Sequence, residues 1–422
     1  MEKHRQGVDP ALALNIVRNQ RPDFCTAKLQ DCNPLYKYRM VNGTCNNLDN
    51  PMWGASYTAM TRLLAPVYTD ADTGVREQLN SLTSYLDGSN IYGSEETRHG
   101  FLRAYVNVWF REHNRIADEI LAQMPHWDDE KVFQEARRLV IAEWQNVVYG
   151  EYLPVLLGAD TMNRFGLTLT DSWSRYEANV DATIFHAFAD AAYRFGHTFI
   201  NGIIQTFRGL GDGHGSYRIR HNFFVDTQVV QDGGKGYNYI LNGLLIQNAQ
   251  TGDPFVTEDL TNHLLQEPSH AFGSDLIARN LQRGRDHGLP AYMEFRKICG
   301  LDTIDTWTVK PDQISEETWA KFESLFENPD QIDLFTGGIA MQFKLLKDGD
   351  RFFFTHGNGG PGAFWEYQIQ HLRKRTFGDI ICENSGIAQT QQNVFLTGIG
   401  PNMWVSCNSS ERARLDVTLF IN

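Results

Sequence analysis

The chain has 422 residues, 42% hydrophobic and 12% aromatic, enough to bury a substantial core. A net charge of -13 and the lack of a basic patch argue against a nucleic-acid partner. No apolar run approaches the length of a membrane span, and the start, Met1-Glu2-Lys3-His4-Arg5-Gln6, has no apolar signal region, so a secretion signal has been removed or the N-terminus is incomplete.

No Pro/Ser-rich linker, repeat or low-complexity run divides the chain, so one large globular unit is expected over 32–422 after an irregular lead-in over 1–31. Residues 32–76 are rich in Asn, Pro and Gly and read as loop and turns, with a short helix expected from Ser56 to Ala65. Thr83-Ser84-Tyr85-Leu86-Asp87-Gly88-Ser89 offers oxygen ligands at alternate positions, as a calcium loop does. A turn capped by its Asp and Ser is the plainer reading. Val106 to Ile120 predicts a helix with Trp109, Phe110, Ile116 and Ile120 apolar. Its Arg111-Glu112-His113-Asn114-Arg115 run reads as a buried polar network joining helices rather than as chemistry. Lys131 to Leu157 is the longest helical pattern. Asp128 and Asp129 suit its N-terminus, Val132, Ala136, Leu139, Val140 and Val147 build its apolar face, and Pro154 stops or kinks it.

Ile184, Phe188, Ala191 and Ala192 form a stripe that reads as a buried helix and ends in Tyr193-Arg194-Phe195-Gly196-His197-Thr198-Phe199-Ile200. Residues 203–250 are mixed and glycine-rich, with a strand expected at Tyr217 to Phe224. Pro254 to Leu301 returns to helix, Trp365 to Arg375 is amphipathic, and the tail around Cys382 to Cys407 is loop-like. Helix dominates strand throughout.

Arg194 and His197 are three residues apart, on one helix face. A neutral imidazole there can bind a metal and the guanidinium can reach an anionic group beside it; a hydrogen-bonded core histidine is the plain alternative. A second stretch changes the balance: Asn280-Leu281-Gln282-Arg283-Gly284-Arg285-Asp286-His287-Gly288-Leu289-Pro290. Together the two stretches resemble the animal haem peroxidases. Other matches follow in the family's order, among them Gly43-Thr44-Cys45-Asn46-Asn47, Trp53-Gly54, Arg62-Leu63-Leu64, Gln78-Leu79-Asn80 and Tyr152-Leu153-Pro154.

The resemblance implies a mainly α fold, a single large helical domain with little β, built round haem b. It implies His197 as the proximal iron ligand and Asn280 as the acceptor that fixes its other ring nitrogen. Arg194 and Arg283 match the arginines that meet the haem propionates. Thr83, Tyr85 (by its carbonyl), Asp87 and Ser89 match calcium ligands, an incomplete set because Asp87 alone is charged. Disulfides are implied for Cys32 with Cys45 and for Cys382 with Cys407. They point to an oxidising, extracellular compartment, which the glycosylation triplets at Asn42 and Asn408 fit. Of the six cysteines, Cys25 and Cys299 have no assigned pairing.

The implied activity is oxidation of small donors by hydrogen peroxide. Cleaving peroxide needs a base of near-neutral pKa over the iron and a fixed cation beside it. The segments that carry these in the family are not visible. Arg76 passes directly into Glu77-Gln78, Arg103 into Ala104-Tyr105, and a third break falls near Ala340-Met341. Well-matched residues flank each junction, the pattern of skipped segments. His287 lies in a turn that looks structural, His113 in the matched helix, and His99 with Arg103 at a junction, so no substitute base is found. The expectation is a haem-holding but inactive or very weak peroxidase. The competing reading is a secreted, non-catalytic binding protein on the same scaffold, with a receptor or matrix partner.

Overall fold

The computed structural model describes residues 32–62, 64, 78–93, 103–223, 225, 227–267, 269–298, 300–311, 314–335 and 340–421. The lead-in over 1–31, Cys25, His99, Cys299, the junction at 76/77 and the stretches leading into the other two junctions lie outside these residues.

The expected helix between Ser56 and Ala65 does not form over its described residues. Thr58–Ala59 (β1) pairs antiparallel with Leu79–Asn80 (β2), and the Thr61 N–H donates to the Ile184 carbonyl at 2.9 Å. These backbone groups bond across the chain, so none is left for an i to i−4 ladder. A one-turn helix follows, Ser89–Tyr92 (α1).

Two long helices supply the centre of the core. Arg103–Gln123 (α2) buries Val108, Trp109, Ile116 and Ile120, and Asp129–Val147 (α3) packs beside it with Ala136, Leu139 and Val140 fully covered. The Asp128 side chain accepts from the Lys131 N–H at 2.8 Å, the expected cap. The expected helix to Leu157 is interrupted, because Val148–Tyr152 widens into a π-turn before Leu153–Arg164 (α4) begins. Pro154 gives the reason. In a continuous helix its ring would meet the Gly150 carbonyl and no N–H would satisfy that oxygen. In the first turn of a new helix neither problem arises.

The π-turn carries Glu151, 7% exposed, whose Oε1 accepts from the Phe377 N–H at 2.7 Å while Oε2 has no partner among the described residues. Burial pushes its carboxyl up to about 8, only partly opposed by that amide. Between the ordinary value of 4.5 and about 8, the folded chain therefore holds a proton that the unfolded chain releases. Stability is complete below the ordinary range and falls as pH rises through this window. Glu151→Gln is expected to flatten that slope and to raise stability at pH 8 by a few kcal/mol, on the order of 1.4 per pKa unit. Urea midpoints at pH 5.5 and pH 8 measure it, and an unchanged slope would refute it.

After His186–Asp190 (α5), Ile203–Gly209 (β3) and Asp212–Arg218 (β4) form an antiparallel hairpin. The strand expected at Tyr217 to Phe224 is thus misplaced; only its first residues are extended, and Ile219–His221 turns as a 3-10 helix. Leu210 and Gly211 make a two-residue turn, with Gly211 at φ 80°. Thr227–Gly234 (α6) leads to Gly236–Ile246 (α7), which lies on the hairpin. Their backbones meet at Gly243, where a Cβ would stand 1.8 Å from the Gln205 carbonyl oxygen.

The helical return is broken into Glu258–Thr261 (α8), Leu276–Asp286 (α9) and Tyr292–Ile298 (α10), followed by Glu316–Leu325 (α11) and Ala340–Asp348 (α12). Glu366–Arg373 (α13) matches the amphipathic stretch. Phe377–Asn384 (α14) makes part of the expected loop-like tail helical, and stacks Phe377 on Trp109 of α2 with ring centroids 5.4 Å apart. Gln389–Gln391 (β5) and Trp404–Ser406 (β6) pair behind it. The Cys32–Cys45 and Cys382–Cys407 bonds are both formed. No helix among the described residues is long and apolar enough to cross a membrane.

Candidate functional site

The stripe expected as one buried helix is two pieces. α5 ends at Asp190, Ala191 departs from helical geometry (φ −133°, ψ −70°), and Ala192–Phe199 continues as a 3-10 helix. Three residues per turn bring positions i and i+3 into register, so Arg194 and His197 stand one above the other. Facing them is Asn280 of α9, 2% exposed. Asp275 fixes that helix start by accepting from the Ile277 and Ala278 N–H groups.

Asn280 joins the pair. Its Oδ1 accepts from Arg194 Nη1 at 2.6 Å, and its Nδ2 lies 3.0 Å from His197 Nδ1. A guanidinium only donates, so the carboxamide oxygen must face Arg194 and the NH2 must face His197. The amide therefore donates to Nδ1 and leaves the ring proton on Nε2. The acceptor role expected of Asn280 needs its oxygen, which Arg194 holds in this arrangement. Burial, and then the Arg194 charge, lower the His197 pKa, which favours the neutral imidazole a metal needs. The Phe335 ring lies 6.3 Å from the imidazole, centroid to centroid.

Arg194 is held on all sides. Its Nε donates to the Ala189 carbonyl at 3.0 Å and Nη2 to Asp190 Oδ1 at 3.1 Å. The other oxygen of Asp190 meets His186 Nε2 at 2.8 Å and His287 Nδ1 at 2.5 Å. Burial would raise that carboxyl's pKa, but its hydrogen bonds to both histidines hold it well below the usual carboxylate range. Arg283, one turn after Asn280, is exposed, and its guanidinium makes no hydrogen bond or ion pair among the described residues. The involvement of His186 and Asp190 was missed in the sequence; the available signal was their i, i+4 spacing just before His197.

Thr83, Tyr85 and Asp87 are buried, but their loop closes on itself. Asp87 Oδ2 accepts from the Thr83 hydroxyl at 2.7 Å, its Oδ1 from the Ser89 N–H at 3.0 Å, and the Tyr85 hydroxyl donates to the Trp53 carbonyl at 2.6 Å. Both oxygens of the one carboxylate are committed to the turn, a donor set that does not fit tightly held calcium. At the triplets, Asn42 Oδ1 accepts from the hydroxyl of Thr44, which is 1% exposed, whereas Asn408 is exposed. The Arg111–Arg115 run is the polar network expected: Arg115 grips Glu112 with two nitrogens, and the Tyr92 hydroxyl meets His113 Nδ1 at 2.9 Å.

A sequence profile described as "Animal haem peroxidase" matches residues 38–73, 69–107, 98–341 and 338–395. The chain belongs to the animal haem peroxidases. A peroxidasin homologue of Mus musculus is 30% identical over 452 aligned positions, covering 87% of this chain and 29% of that protein. Thyroid peroxidase of Sus scrofa is 33% identical over 331, covering 73% and 35%. The chain thus spans about a third of the length of either relative. Among solved structures, peroxidase A from Dictyostelium discoideum superposes with a TM-score of 0.67 at 20% identity, over 87% of this chain and 99% of that one, which shows the shared helical fold. The mouse alignment is longer than this 422-residue chain, so that relative carries stretches with no counterpart here.

The family implies a haem, and the donors on the His197 side fit one: a half-buried imidazole whose pKa is lowered, a carboxamide on its inner nitrogen, and the Arg194 guanidinium bonded to that carboxamide. The histidines with partners elsewhere are spoken for: His113 by Tyr92, His356 by Ser174 and the Lys347 carbonyl, and His371 by the Asp416 N–H.

Proposed function

We propose that this chain is a peroxidase-family protein that holds haem b from the His197 side and turns over peroxide weakly or not at all. The observation that carries the proposal is the convergence of Arg194, Asn280 and His197 at one place, with the Asn280 carboxamide against His197 Nδ1. Bound haem supplies the redox-active iron. The rest falls to the protein's own groups. His197 is to ligate through Nε2, so its proton has to sit on Nδ1. The Asn280 carboxamide then has to turn its oxygen toward that N–H, which releases Arg194 Nη1. The freed guanidinium, with the exposed Arg283, offers positive charge to the propionates.

Weak turnover follows from the missing base and cation. The four matched stretches meet near 69–73, 98–107 and 338–341, the neighbourhoods of the breaks expected at 76/77, 103/104 and 340/341, which supports skipped segments there. Hydrogen peroxide and small donors such as phenols remain the substrate class. The two disulfides support an oxidising extracellular setting, with Asn408 the accessible glycosylation acceptor. Calcium has no part in the proposal, for the reason given by Asp87.

Reconstitution tests it. The expected result is a Soret band at one haem per chain, with oxidation of a phenolic donor roughly two to four decades below a complete family member. Full turnover at stoichiometric haem would overturn the inactivity. Failure to retain haem would overturn the holding role.

A further inference from the structure

His186, Asp190 and His287 are not used by the His197 site except through Arg194. His186 and Asp190 lie at i and i+4 on α5, one face of its single turn. His287 follows the last residue of α9, where its N–H donates to the Arg283 carbonyl at 3.0 Å and its carbonyl accepts from Arg62 Nη1 at 3.0 Å. Both main-chain groups are pinned, and the ring projects back to α5.

Three donor atoms converge there. His186 Nε2 lies 2.7 Å from His287 Nδ1 and 2.8 Å from Asp190 Oδ2, and Nδ1 lies 2.5 Å from the same oxygen. His186 is 0% exposed and Asp190 5%. No placement of imidazole protons suits all three contacts. If both rings donate to the carboxylate, two N–H groups confront each other. If one ring donates to the other, a bare nitrogen faces a carboxylate oxygen. A cation shared by the three resolves the conflict, because all three then present lone pairs to one positive charge.

We propose that His186, Asp190 and His287 form a binding site for a divalent first-row transition-metal ion, distinct from the His197 site. Two imidazoles and one carboxylate suit iron, cobalt, nickel or zinc rather than calcium or magnesium, which take oxygen. At metal–ligand distances near 2.1 Å, donors on one face of an octahedron stand about 3.0 Å apart and on a tetrahedron about 3.4 Å. The observed triangle needs to open by only a few tenths of an ångström for the octahedral face. Outer partners are in place: Arg194 Nη2 on Asp190 Oδ1 at 3.1 Å, and the Asp286 carboxylate 3.8 Å from His287 Nε2. His186 Nδ1 has no partner among the described residues, so that ring's strong contacts all run through Nε2.

The full chain, stripped with chelator and free of haem, is titrated with cobalt(II) chloride. The expected result is a visible d–d absorption that saturates at one equivalent, is displaced by zinc(II), and accompanies a rise in Tm. Asp190→Asn keeps an acceptor for Arg194 but removes the anion, and His287→Gln removes a nitrogen. Each is expected to weaken the cobalt Kd by more than about tenfold with unchanged far-UV circular dichroism. His197→Ala is expected to bind cobalt as the parent does, which separates this site from haem loading. Cobalt binding that is absent from the parent, or equal in the parent and both folded variants, overturns the proposal, as does its loss in His197→Ala.

Discussion

His197→Ala is expected to abolish the Soret band that the parent shows after haem reconstitution. The loss should exceed the 10- to 100-fold drop in affinity typical of removing a residue that only orients a ligand. Asn280→Leu supplies that smaller comparison, since it leaves the imidazole but takes the carboxamide from its Nδ1. The ordering of the two variants is the informative result. If Asn280→Leu were as severe as His197→Ala, the carboxamide would be holding the fold of this region rather than steering a ring. Exogenous imidazole offers a control, because His197→Ala leaves a gap beside Phe335 that a free ring can enter. Restored absorption shows that the variant lost a ligand and kept its shape. A parent-like spectrum in His197→Ala without imidazole would remove His197 from the site.

What was legible in the chain follows the range of the interaction. Asp128 announced the start of α3 because a cap acts over three residues. Trp109, Ile116 and Ile120 of α2 are legible because a helix repeats every 3.6 residues and one face must be buried, whereas Phe110, named with them, is exposed and Val108 is buried in its place. Cys32–Cys45 and Cys382–Cys407 came from the family resemblance, not from spacing. The failures involve contacts between distant segments. Thr58–Ala59 became a strand because Leu79–Asn80 pairs with it. The Ile184–Ala192 stripe satisfied a helical pattern, yet the chain breaks at Ala191 and tightens, which sets Arg194 below His197. The contact of Asn280 with Arg194 is not legible locally either, because it spans 86 positions of sequence. His186 and Asp190 carry no local signal beyond their i, i+4 spacing, because the residue that gives them meaning, His287, is 101 positions from His186.

Arg375→Ala is expected to destabilise the fold by roughly 3–5 kcal/mol, the cost of leaving buried charge uncompensated. Arg375 is 1% exposed and donates to Glu143 Oε1 at 2.8 Å, Glu112 Oε1 at 3.2 Å, Glu383 Oε2 at 2.6 Å and the Ala413 carbonyl at 2.6 Å. It thereby ties α2, α3 and α14 together behind the core. The partners do not lose equally. Glu112 keeps Arg115 and the Asn384 amide, whereas the one hydrogen bond of Glu143 is to Arg375, and its Oε2 has none among the described residues. Glu112, Glu143 and Glu383 share the guanidinia of Arg375 and Arg115, and Arg115 also pairs with the exposed Glu119, so carboxylates are in excess. Burial, and next the neighbouring Glu112 charge, push the Glu143 carboxyl up. Its folded-state pKa is raised, so its contribution to stability is complete at low pH and fades as pH rises. Losing Arg375 removes the main opposing charge, so the destabilisation should grow from pH 5.5 to pH 8. Pairing Arg375→Met with Glu143→Leu should recover much of the loss, since replacing a buried ionic pair by apolar side chains is often near neutral. Urea midpoints of the single and double variants at both pH values decide the matter. A cost under about 1 kcal/mol for the single variant, the range of an exposed ion pair, would show that water reaches this network and that the buried charges do not need Arg375.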